Sequence, residues 1–175
     1  MLYSNDEITK YTAIYSQFSK AVYNYSLRMT SDRLFSEDLV QTVFLKLYSQ
    51  WDTIQNRESI KYWLFTVARN EVYLFFREKK THLDSYNVLD IDEVEVEDTA
   101  TPESDFEYDE FRENLMIQLE TLGRENKEIF LLREFGDLSY REIAQTTGLT
   151  EEVVKARLFR IRNRVIKVLK NFYKK

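Results

Sequence analysis

The chain has 175 residues, 25 Lys and Arg against 30 Asp and Glu, and 43% hydrophobic residues, enough for one medium domain or two small ones. It has no Cys and a single histidine, His82, which excludes a disulfide framework, a thiolate zinc site and a thiol nucleophile, and would force any His-based triad or metal site to form around one residue. No run of eighteen apolar residues occurs, and the opening MLYSNDEITKY has neither a basic stretch nor an apolar core, so neither membrane insertion nor a secretory signal is expected and the expected location is cytoplasmic.

Three Gly and one Pro leave few tight turns, so the expected fold class is all-α with long helices. The first helix repeats Ile8, Tyr11, Ile14, Phe18, Val22, Tyr25 and Met29 at steps of three and four, one buried stripe. A second is expected after Ser36 as cap, with Glu37 and Asp38 in its first turn and Leu39, Val40, Val43, Phe44, Leu47 and Trp51 inward. A third, capped by Ser59, carries Ile60, Trp63, Leu64, Val67, Val72 and Phe75 on its apolar side. Opposite them runs a stripe of Tyr62, Thr66, Arg69, Tyr73, Arg77 and Lys80. Rings alternating with cations suit single-stranded nucleic acid, because any base stacks on a ring while the cations follow the backbone. A half-buried aromatic face with basic side chains reaching to solvent is the other reading of the same stripe.

From Thr81 to Glu113 there are thirteen acids and one base. Periodicity is lost there, and Pro102 falls within it, so the segment reads as a flexible acidic linker. The expected domains are 1–80, then linker 81–110, then 111–175. By contrast, Glu151–Lys175 holds nine bases and two acids, so the overall charge of −5 conceals a basic carboxy-terminal helix.

That last domain has the grammar of a helix-turn-helix. Ser139 and Glu142 have capping-box spacing, Gly148 suits a left-handed helix end, and Thr150 caps a new helix. The second helix buries Val154, Leu158, Ile161, Val165 and Leu169 and leaves Lys155, Arg157, Arg160, Asn163, Arg164 and Lys167 on its open sides. Such a helix fits a major groove. Glu151 and Glu152 favour the helix dipole but are repelled by phosphate.

Three blocks in series, DLVQTVFLKLY (Asp38–Tyr48), KYWLFTVARN (Lys61–Asn70) and LSYREIAQTTGLTEEVVKARLFRIRNRV, resemble the extracytoplasmic-function (ECF) group of bacterial RNA polymerase sigma factors over nearly the whole chain apart from the linker. The resemblance implies an alternative sigma factor, not an enzyme and without cofactor or metal, in which a sigma-2 domain binds core RNA polymerase and opens the minus-10 element and a sigma-4 domain reads minus-35. It assigns core-polymerase binding to Asp38, Gln41, Thr42, Phe44 and Tyr48. It assigns single-stranded minus-10 DNA to Asn56, Arg57, Ser59, Lys61, Tyr62, Trp63, Arg69, Asn70, Tyr73 and Arg77, with Gln55–Ser59 as the base-reading loop. Duplex minus-35 DNA falls to Ser139, Arg141, Glu152, Lys155, Arg157, Arg160 and Arg164. Trp63 and Leu64 stand where primary factors keep two aromatics, which implies weak unaided melting and dependence on well-matched promoters. An anti-sigma factor is an implied further partner. The linker has two open roles, as an RNA mimic in the transcript's exit channel or as a plain tether. A stand-alone helix-turn-helix regulator is the alternative function, and it gives no reason for the DLVQ block or the aromatic and basic stripe.

Overall fold

In the computed structural model, which describes residues 5–54, 59–85, 115 and 117–172, the first apolar stripe produces α1, Asn5–Thr30. The stripe is best covered in its second half, where Val22, Tyr25 and Met29 are buried, whereas Ile8 at the other end is 52% exposed. Ser31 ends the helix in the left-handed conformation, φ 54°, with its N–H on the Leu27 carbonyl at 2.8 Å, the geometry that closes a helix end.

Asp32, not Ser36, caps α2, Arg33–Ser49: its side chain accepts the Phe35 N–H at 2.9 Å. Ser36 is instead a buried residue inside the helix, its hydroxyl 2.7 Å from the Asp32 carbonyl and 2.9 Å from the Ser26 hydroxyl of α1. A serine that bonds the carbonyl four residues back is compatible with helix interior, and Ser26 satisfies the rest of its hydrogen-bonding capacity. A 3₁₀ turn, Trp51–Thr53, follows α2.

The third helix, α3, spans Ile60–Ser85 and begins directly after Ser59. It runs past Lys80, with Thr81 Oγ1 donating to the Arg77 carbonyl at 3.0 Å; no Gly or Pro interrupts it there. Both α1 and α2 pack on α3 as well as on each other. The shared core therefore includes Phe65 and Ala68 as well as Leu64 and Val72, while Trp63, Val67 and Phe75 are only half-buried. Tyr25 meets Phe65 edge-on with centroids 5.8 Å apart, a geometry that adds about 0.5–1.5 kcal/mol to simple burial.

The chain divides into two units, Met1–Glu95 and Val96–Lys175. In the second, helical residues 117–120 lead through a turn at Gly123, φ 80°, into α4, Arg124–Glu134; α5, Tyr140–Thr147, and α6, Glu151–Phe172, complete it. All three helices pack on one another around Leu119, Ile129, Leu131, Leu132, Leu138, Ile143, Val154, Leu158 and Ile161. Val165 is half-buried, and the side chain of Leu169 lies outside the described residues. Buried Lys127 pairs with Glu120, tying the helical residues before the turn to α4. Every regular element among the described residues is helical, and no described helix is long and apolar enough to cross a membrane. The acidic tract from 86 to 114, which holds most of the expected linker, lies outside the described residues.

Candidate polymerase-docking and nucleic-acid interfaces

The first surface is on α2. Its inward residues, Leu39, Val40, Val43 and Leu47, are buried, which turns Asp38 and Gln41 to solvent, with Thr42 half-buried beside them and Tyr48 exposed at the far end. Phe44 does not belong to this outer face. It is 2% exposed, its carbonyl accepts the Tyr11 hydroxyl at 2.9 Å, and the Tyr15 ring covers it at 4.7 Å, so it supports the surface from below. Two residues that periodicity did not single out are on the outside: Leu34, 76% exposed, and Leu45, 66% exposed. Leu34, Asp38, Gln41, Leu45 and Tyr48 follow at steps of four, three, four and three, one helical stripe. The available signal was a pair of leucines in register with polar residues rather than with the core.

The second surface is the stripe on α3. Tyr62, Thr66, Arg69 and Tyr73 are half-buried and Asn70, Arg77 and Lys80 exposed. Arg69 Cζ lies 4.4 Å from the Tyr73 ring centroid, a cation–π contact. Thr66 spends its hydroxyl on the Tyr62 carbonyl at 2.9 Å. Lys61 and Trp63 are half-buried at the start of the helix, as is Ser59 before it. Asn56 and Arg57, with most of the Gln55–Ser59 loop, lie outside the described residues. What the described stripe offers is a half-buried ring, Tyr73, with the Arg69 guanidinium against it and exposed Arg77 one turn further along the helix. Such an arrangement is chemically able to stack a base and to balance a phosphate.

The third surface is built by the helix-turn-helix. Ser139 and Glu142 form a reciprocal capping box, with Ser139 N–H on Glu142 Oε2 at 2.7 Å and Glu142 N–H on Ser139 Oγ at 3.2 Å. Gly148 closes α5 at φ 73°, and the Thr150 hydroxyl accepts the Val153 N–H at 3.4 Å. These local bonds fix how α6 is presented. On it, Lys155, Arg160, Asn163, Arg164 and Lys167 are exposed; Arg141 is exposed on α5. Arg157 is different: it pairs with Glu125 of α4 at 2.8 Å. Arg164 Nη2 donates to Thr121 Oγ1 at 3.0 Å, and an open groove of about 560 Å³ lies between the 121–126 segment and Arg157, Arg160 and Arg164.

Tyr140 holds the three helices of this unit together. Arg162 Nη1 donates to its hydroxyl at 3.4 Å and Nη2 reaches Glu134 at 3.3 Å, while Arg133 and Lys155 lie 5.6 and 5.9 Å from its ring centroid. The Tyr140 bond, with Glu134 adding, raises the Arg162 pKa, and the guanidinium is engaged by these two partners across the helices. The Glu152 carboxyl is held below the usual carboxylate range by its own backbone N–H and the Thr150 hydroxyl. It is therefore engaged at the helix start while remaining exposed to solvent. Phe159 is a further residue outside the expected set; it is 67% exposed on the open side of α6 beside exposed Ala156. An apolar ring there can lie against a thymine methyl group.

Comparison with known proteins finds two family models that match separate stretches of the chain. Residues 14–81 match the family model described as Sigma-70 region 2, and residues 112–165 match Sigma-70, region 4. The ECF RNA polymerase sigma factor SigM of Bacillus subtilis is 30% identical over 152 residues, covering 87% of this chain and 90% of SigM. RNA polymerase sigma factor YlaC of the same organism is 28% identical over 152 residues, covering 85% and 86%. In fold, the chain is similar to the sigma factor RpoE solved in complex with the anti-sigma factor NepR from Bartonella quintana, with a TM-score of 0.74 at 24% identity over 92% of this chain and 97% of that one.

Proposed function

Because the chain belongs to the ECF group of RNA polymerase sigma factors, we propose that it acts as an alternative sigma factor, binding core RNA polymerase and directing promoter-specific transcription initiation. The observation that carries this is the presence of regions 2 and 4 in one chain, in that order. A stand-alone helix-turn-helix regulator accounts for the second unit alone and is not favoured.

Three roles follow from the surfaces described. The α2 stripe, with Asp38, Gln41, Thr42 and Tyr48 over buried Phe44, docks on core polymerase; Leu34 and Leu45 add the apolar contacts that an interface core needs. The α3 stripe, with Ser59, Lys61, Tyr62, Trp63, Arg69, Asn70, Tyr73 and Arg77 and the loop carrying Asn56 and Arg57, takes the opened minus-10 strand. The helix-turn-helix reads duplex at minus-35: Ser139 and Arg141 meet phosphate at one edge, and Lys155, Phe159, Arg160 and Arg164 enter the groove. Arg157 acts through its pair with Glu125, and Glu152 chiefly stabilises the helix start. Residues 1–80 and 111–175 are then the sigma-2 and sigma-4 domains, with 81–110 between them.

The chain contributes binding rather than bond-making, uses no cofactor, and works in the cytoplasm where its polymerase is. An anti-sigma factor is a further partner; the complex of RpoE with NepR supports this by analogy of fold. The test separates the two readings. Polymerase core and a promoter fragment are titrated with the chain: a sigma factor retains promoter DNA only when core is present, whereas equal retention without core would establish the stand-alone regulator.

A further inference from the structure

Where the α2 stripe ends, the surface of the first unit is indented. Glu7, Ile8 and Tyr11 of α1, Tyr48 of α2 and Trp51 of the following turn line an apolar groove of about 60 Å³. The rings of Tyr48 and Trp51 both stand edge-on to Tyr11, at 5.6 and 6.3 Å. The Tyr11 hydroxyl is turned away to the Phe44 carbonyl at 2.9 Å, and burial, with Tyr15 and Tyr48 adding, raises its pKa. The groove thus presents ring carbons and the exposed Ile8 side chain. At roughly 10–15 Å³ for each water-sized group, it accepts one aliphatic side chain of a few carbons.

We infer that this groove continues the polymerase-docking surface, and that it receives one apolar side chain of the same core-polymerase segment that lies along α2. The inference rests on the polymerase reading of the α2 stripe. Continuity is its ground: Tyr48 is both the last residue of that stripe and a wall of the groove. From Leu34 to Tyr48 the stripe is about 21 Å long, and a segment following it runs out over the groove. The groove gives that path a concavity at its end, and a side chain seated there loses more contact with water than one lying on an exposed helix face, the condition under which interface anchors contribute most.

The experiment uses the full chain and purified core polymerase. Ile8 is exposed, so Ile8→Lys leaves the fold intact while placing a charge in the groove. It is expected to weaken core binding about tenfold, with helicity unchanged. Because the chain has no cysteine, Glu7→Cys supplies a single thiol at the rim, and Lys20→Cys an exposed control further along α1. Core polymerase is expected to slow alkylation at position 7 about tenfold or more and to leave position 20 unaffected. If Asp38→Ala with Gln41→Ala weakens binding while Ile8→Lys does not and position 7 stays reactive, the groove is outside the interface and the inference is overturned, although the stripe stands. If neither substitution matters, the polymerase reading of α2 fails as well. A thiol at position 7 that is already slow in the free chain, relative to position 20, assigns the groove to the chain's own first residues or a second copy, which also overturns the inference.

Discussion

Arg157 and Arg160 sit three residues apart on one basic helix, and the structure gives them different surroundings. Arg160 is exposed, its guanidinium held only loosely by the Ala156 carbonyl at 3.3 Å. Arg157 is bonded to Glu125 at 2.8 Å, its side chain 23% exposed against 74% for its partner. Removing one cation that neutralises a phosphate flattens the dependence of log affinity on log salt by about 0.9, which between about 50 and 200 mM salt is roughly a 3.5-fold difference. Arg160→Ala is therefore expected to reduce holoenzyme affinity for promoter duplex and flatten the slope by about 0.9. Arg157→Ala is expected to leave the slope unchanged and to cost at most about 1 kcal/mol of stability, because the pair is partly solvated. The assay is anisotropy of labelled duplex over a salt series, with thermal unfolding of the free chain alongside. Equal flattening by the two substitutions, with no stability difference, would refute the assignment of Arg157 to the Glu125 pair.

On α2, Asp38→Ala with Gln41→Ala is expected to weaken core binding by a few kcal/mol, as truncation of interface anchors does, and Leu45→Ala to add to it; unchanged retention on immobilised core would remove this face from the account. Tyr73→Ala should leave duplex binding intact and reduce strand opening, read as weaker permanganate reactivity of minus-10 thymines; identical footprints would exclude the stacking role. Gly148 has φ 73° and open space around its Cα, so Gly148→Ala meets conformational cost only, about 1 kcal/mol, lowering the melting temperature of its unit by about 4–8 °C; Gly148→Asn should fall by less. For Glu152 the folded-state pKa is lowered. Its contribution is present above the unfolded carboxylate value of about 4.3 and disappears as pH falls through the lower folded value. Glu152→Gln should thus melt below the parent at neutral pH, with the gap closing as pH falls through the folded value; a gap that persists in acid would contradict the part given to the Glu152 carboxylate at the helix start.

What was legible in the sequence was what is settled within a few residues. The capping box at Ser139 and Glu142, the glycine turn and the Thr150 start are local bonds, and their spacing alone specifies them. Ser36 shows the limit: followed by two acids it has the signature of a cap, yet its hydroxyl is committed to Ser26, ten residues earlier, while Asp32 does the capping. Periodicity likewise separated the faces of α3 but not their depth, since Phe65 and Ala68 are buried only because α1 and α2 approach from two sides. Leu34, Leu45 and Phe159 were missed for the converse reason, as an apolar residue off the main stripe carries no mark of being exposed. The Arg157–Glu125 pair spans 32 residues, and nothing in either segment announces the other.

The central claim is that this chain confers promoter choice on a polymerase that lacks it. Run-off transcription with purified core polymerase on fragmented genomic DNA from the chain's own source tests that most directly. The account predicts a discrete set of transcripts that appears only when chain and core are combined, and that is reduced by Asp38→Ala with Gln41→Ala. The same transcripts from core alone, or none with the chain present at saturating concentration and correctly folded, would contradict it.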